Sequence, residues 1–316
     1  MRRREFITLI GGAAAWPLEA RAQQAARRYR IAVLGAPLPP SFFDDLDQAG
    51  FVKGGNVEFD GRGIGVASTS YATVTVELTQ AGPDVLIAGG SEAARAAQKA
   101  TQRIPIVALA DDLLGSKLVA SMSHPEGNTT GVAIFAPQLD AKRLELLHEA
   151  LPSARRIAVL ADREPIPNIS ALERAAQGFG IEIAPFAARS EEDVIRAIDA
   201  MKTAQVEAVN LLASPVLSGK FQSLILDRLA LRRLPAIWQW PEGAEDGGLI
   251  GYGPRLSMVY GQCARQVAKL LRGAKVVDVP VEQPTKFELI VNLKTAKTLG
   301  VEFPPILLSR ADKTIE

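Results

Sequence analysis

The chain of 316 residues is poor in the side chains that carry covalent and metal chemistry, with one cysteine and two histidines. One thiol cannot form an internal disulfide, and Cys263 falls in the helical run Met258 to Leu271, where a buried, inert thiol is expected. His124 and His148 belong to no His-Glu-x-x-His or Cys-x-x-Cys spacing, so neither a metal nor a cofactor is expected. Charge of one sign is scarce too. A net charge of +1 and 6% aromatics supply neither the basic footprint nor the stacking surface of a nucleic-acid binder.

The N-terminus is patterned differently from the rest. Arg2, Arg3 and Arg4 precede a largely apolar stretch from Phe6 to Leu18, and Ala20-Arg21-Ala22 offers a small-x-small cleavage site. That order reads as a signal peptide over residues 1–22, and the paired arginines point to the Tat route. The apolar run is about a dozen residues, short of the roughly 20 that span a bilayer. No cysteine stands near Ala22 to accept a lipid, so the expected product is a free, exported protein in the periplasm.

The remaining chain repeats itself. Arg30-Ile31-Ala32-Val33-Leu34 recurs unchanged as Arg156-Ile157-Ala158-Val159-Leu160. Pro83 to Ala88 is answered by Val206 to Leu212, and Arg103-Ile104-Pro105-Ile106-Val107 by Arg233-Leu234-Pro235-Ala236-Ile237, in the same order and at near-constant spacing. Short apolar runs bounded by Gly or Pro alternate with helical segments, which is the pattern of parallel strands buried on both faces. The expected fold is α/β: two Rossmann-like lobes with parallel sheets joined by a multi-crossover hinge. The N-terminal lobe is expected over 28–131 plus 251–283, and the C-terminal lobe over 132–250 plus 284–316. Gly61, Gly63 and Gly65 mimic a dinucleotide fingerprint but open no helix after an apolar strand, so a loop is expected there.

Ligands of open parallel sheets sit beyond the carboxyl ends of the strands. That rule selects Pro37, Gly90, Ser91 and Asp111 in the first lobe, and Asp162, Arg163, Asn168, Ser214, Pro215, Trp238, Trp240 and Glu242 in the second. Gly90-Ser91 opens a helix whose free N–H groups suit a carboxylate, with Ser91 expected to cap it. Ser91 lacks the Gly-x-Ser-x-Gly setting of a nucleophile. Asp111 or Asp112 is expected to cap the next segment, and a carboxylate here also suits a ligand ammonium. Trp238 and Trp240 lie on one side of their strand, one expected in the core and one against a ligand. An exported hydrolase-like enzyme would need an acid/base pair, and Asp111 with Glu242 is the pair available, without a histidine, nucleophile or metal beside it.

The residues also resemble a known family. Gly54-Gly55-Asn56-Val57, Pro125-Glu126-Gly127-Asn128-Thr129-Thr130-Gly131, Gly251-Tyr252-Gly253, Pro284 to Lys297 and Pro304 to Asp312 are similar to the periplasmic substrate-binding proteins of ABC transporters, of the tryptophan/tyrosine-binding type. The resemblance implies a type I periplasmic-binding fold, no enzymatic activity, a small-molecule solute such as an amino acid, a monomer, and an ABC permease as partner. A sensor that reports closure to a membrane receptor would share these features. Ala36 to Phe42 departs from the family pattern, standing where a longer loop and a first helix are expected.

Overall fold

Runs of Val, Ile, Leu and Ala whose alternate residues both need cover set the architecture. In a computed structural model the described residues are 27–316 except 36, 135, 167, 168 and 215. The proposed signal segment, Asn168 and Pro215 therefore lie outside the described residues.

The first lobe is built from β1 (Tyr29–Gly35), α1 (Pro40–Gln48), β2 (Val57–Ile64), α2 (Tyr71–Gln80), β3 (Val85–Gly89), α3 (Ser91–Ala100), β4 (Ile106–Ala110) and β5 (Thr129–Ala133). Its sheet runs β2-β1-β3-β4-β5, parallel throughout. Alternation along each strand feeds two cores. Ile31, Val85, Ile87 and Val107 pack on one face with Phe42 and Leu46 of α1, while Ala32, Leu34, Leu86 and Ala88 meet Leu78 of α2 and Ala93 and Ala97 of α3 on the other.

The second lobe contains α4 (Ala136–Ala150), β6 (Arg156–Ala161), α5 (Ile169–Gly178), β7 (Glu182–Ala187), α6 (Glu191–Thr203), β8 (Ala208–Leu211), α7 (Gln222–Arg232), β9 (Ala236–Trp238), α8 (Pro241–Glu245) and β10 (Ile250–Gly253). Its strands run β7-β6-β8-β9-β10, the same winding as the first sheet, and then extend to β11 (Glu288–Asn292) and β12 (Lys313–Ile315). β11 pairs antiparallel to β10. The repeat read from sequence is thus a repeat of topology.

Between β10 and β11 the chain returns to the first lobe as α9 (Leu256–Leu271), whose Val259, Cys263, Ala264 and Val267 join the core beside α1. After α9 the backbone lies along β5, with Ala133 N–H donating to Glu282 O and Glu282 N–H to Gly131 O, both at 2.9 Å. Two short helices, α10 (Leu293–Leu299) and α11 (Pro305–Arg310), cover the second lobe near its end.

Three expectations change. The segment after β1 is not stripped of its helix: α1 stands there, with Pro40 in its first turn, where a missing N–H costs nothing, and Phe42 and Leu46 buried four residues apart. The glycines at 61 and 63 lie within strand β2 rather than a loop. β2 is an edge strand with one partner, so most of its residues need no cover and the apolar alternation that marks strands is faint. Finally, β10 belongs wholly to the second sheet, so the return to the first lobe comes after Gly253 rather than after Ile250.

Candidate functional site

The carboxyl ends of both sheets face one interlobe cleft. β3 ends at Gly89, and Gly90 holds φ 97 as the N-cap of α3, a conformation that a residue with a side chain adopts only under strain. No side chain caps this helix. Ser91 is therefore its first residue and not its cap, which corrects the sequence expectation. The N–H groups of the first turn remain available at the positive end of the helix, and the Ser91 hydroxyl has no partner among the described residues.

β4 runs beside β3, with Gly89 paired to Leu109, and it delivers Asp111 next to Gly90-Ser91. Asp112 is the turn-forming member of this pair: its Oδ1 accepts from Gly115 N–H at 2.8 Å. Asp111 reaches across the cleft to Arg163, 3.7 Å away, the guanidinium following β6 of the other lobe. About 31% of the Asp111 side-chain surface is open to the cleft, yet the surrounding walls dominate its titration. Burial pushes its carboxyl up to about 7, Asp140 and Asp162 push the same way, and Arg163 and Arg143 oppose them.

On the second lobe, Asp162 Oδ2 accepts from the Ser214 hydroxyl at 2.7 Å. Ser214 is itself buried, and its Oγ accepts the N–H groups of Val216 and Leu217, so its part is to hold Asp162 and the loop after β8. Pro37, at the mouth on the first lobe, is exposed, and its carbonyl accepts from the Tyr260 hydroxyl of α9 at 3.2 Å.

The remaining expected residues are drawn away from the cleft. Trp238 is 1% exposed inside the second-lobe core, packed against Gly243 and Gly248, and cannot stack on a ligand there. Trp240 is 7% exposed and joins the first-lobe core with Ile134 and Val259, so it pins the lobes together at the hinge. Glu242 accepts from Leu256 N–H at 3.0 Å and holds the first turn of α9. Burial raises its carboxyl, but its charged neighbours are Arg255 and Glu245.

With the fold and cleft in view, comparison with known proteins is decisive. Residues 41–315 match the family described as ABC transporter substrate binding protein. The chain belongs to this family. A curated relative, the tyrosine-binding protein of Clostridioides difficile (strain R20291), is 24% identical over 267 residues, covering 83% of this chain and 76% of the relative. Among solved structures, a conserved domain protein from Vibrio cholerae superposes with a TM-score of 0.78 at 24% identity, covering 91% of this chain and 100% of that one. The ABC domain from Streptococcus pneumonia in complex with L-Trp superposes with a TM-score of 0.75 at 23% identity, covering 90% and 100%.

Two parts of this substrate-binding protein's cleft escaped the sequence reading. Below Asp111 lies a buried ion pair, Asp140 with Arg143, on the inward face of α4. Arg143 is 1% exposed and donates through Nη1 to Tyr252 O at 3.1 Å, while Asn210 Nδ2 donates to Asp140 O at 3.2 Å. Burial raises the Asp140 carboxyl against the pull of Arg143. The signal was present: Asp140 and Arg143 fall on the same helical stripe as Leu144 and Leu147. Tyr71, at the start of α2, is the second. It is 9% exposed and stands beside Gly35 at the end of β1. Burial raises its phenol, with further contributions from Glu92 and from Asp162 of the opposite lobe.

Proposed function

We propose that this substrate-binding protein takes an α-amino acid as its solute and hands it to an ABC permease, with no chemistry performed on it. The observation that carries this reading is the pairing of opposite preferences on adjacent strand ends. Open N–H groups and the Ser91 hydroxyl at the start of α3 suit a carboxylate, and Asp111 one strand away suits an ammonium. Neighbouring strands are about 4.8 Å apart, a span that fits two groups attached to one carbon. Asp162 and the Asp140 behind it reinforce the preference for a cation at the same point. The tyrosine-binding name of the Clostridioides relative and the L-Trp complex support the same ligand class.

In this reading the Asp111–Arg163 pair closes the cleft, and the incoming ammonium takes the place of Arg163 at Asp111. Pro37 and Tyr71 line the mouth. Export through the leader at 1–22 by the Tat route, a periplasmic location and a monomeric state complete the proposal. A thermal-shift screen of the purified protein against amino acids, aromatic acids, sugars and oligopeptides tests it. Amino acids should be the class that raises the melting temperature, with a ligand at a hundredfold excess over its dissociation constant adding about 2.7 kcal/mol. Asp111→Asn should weaken the best of them by roughly tenfold to a hundredfold, and Ser91→Ala by a few-fold. Stabilisation by sugars alone, or turnover of a bound compound, would reject the reading.

A further inference from the structure

The second lobe holds a cavity of about 430 Å³ at the end opposite the cleft. It lies between α7, α10 and the turns that precede β9 and β10, so the amino ends of these strands border it, whereas the cleft sits at the carboxyl ends. Its volume is within the range of roughly 300–1,000 Å³ typical of small-molecule sites. The floor is apolar, formed by Leu229, Leu234, Leu249 and Trp238, and the mouth carries the exposed cations Arg233 and Lys294. No carboxylate lines it. The Trp238 indole is packed behind Gly248 and closes the apolar floor, so the lining offers positive charge at its mouth against hydrocarbon below.

We propose that this cavity is a second ligand site, taking a small apolar monocarboxylate whose hydrocarbon covers the leucines and whose anion meets Arg233 and Lys294. A chain of methylene groups gains from leaving water in proportion to the area it buries, and one anionic end matches a mouth of one sign. The site stands apart from the cleft and does not depend on the amino-acid reading.

Calorimetric titration of the purified protein with octanoate, and with octanol as the uncharged control, tests the proposal. Octanoate is expected to bind one equivalent and octanol more weakly. Ala230→Phe, at an exposed position of the lining, should abolish octanoate binding by filling the mouth. Lys294→Glu should weaken it about fivefold, the scale of one exposed ion pair. Both variants leave the amino-acid cleft untouched, so their thermal shift with amino acids should equal that of the parent. Absence of octanoate binding, equal binding of octanol, or binding unchanged in both variants would overturn the proposal.

Discussion

Asp111 is the residue on which the electrostatics of the cleft turn. Its carboxyl titrates near 7 in the folded protein against 3.8 for the free group. The folded state therefore keeps a proton there that the unfolded chain has released, and stability falls as pH rises from about 4 to about 7, then levels off. Asp111→Asn should flatten that part of the profile, which melting curves at successive pH values read directly. Ligand affinity should run the other way. An ammonium needs the ionised carboxylate, so amino-acid binding should strengthen as pH rises from about 6 to about 8 in the parent and lose that dependence in Asp111→Asn. Gly131 shows a different constraint: a Cβ there would lie 1.9 Å from Ala108 O, so β5 can reach β4 only with glycine at that place.

At the level of elements, α4 and α9 connect the lobes to the site. α4 follows the first crossing and brings the buried Asp140–Arg143 pair beneath Asp111. Removing one member of a buried ion pair strands the other charge, so Asp140→Ala should cost about 3–5 kcal/mol in urea unfolding. The double replacement Asp140→Leu with Arg143→Met should recover most of that loss, since a well-packed apolar pair of similar size tolerates the same burial. Equal losses in the single and double variants would show that the pair does not act as a unit. α9 is tied to both lobes, by Glu242 at its first turn and by Gln266, whose Nε2 donates to Gly131 O at 2.9 Å and to Pro280 O at 3.0 Å. Arg255, just before α9, pairs with Glu245 and Glu288 of the second lobe, each at 2.7 Å. In the proposed closure of the lobes, these contacts would confine the backbone changes to the few residues between elements.

For the whole molecule, most of the architecture was legible because it repeats. The pentapeptide at Arg30 and Arg156 marks the first strand of each lobe, and the same winding follows in both sheets. Edge strand β2 was not legible, since an exposed strand with two glycines loses its apolar alternation. The positions of Gly90, Ser91, Asp111, Asp162 and Arg163 were legible, because the end of a parallel strand dictates them. Positions that long-range packing decides were not legible. Trp238 and Trp240 alternate with a neighbour as cleft residues would, but one fills the second-lobe core and the other the hinge, and nothing local distinguishes these outcomes from a cleft wall. Asp140 and Tyr71 reach the cleft only because α4 and α2 lie against the strands that bound it. The central claim, a cleft built for a zwitterion, is tested most directly by one calorimetric series: the best-binding amino acid, its decarboxylated amine and its deaminated acid, titrated into the same protein. The account predicts that the amino acid binds and that each analogue loses at least about tenfold in affinity. Equal affinity for the amino acid and either analogue would contradict it.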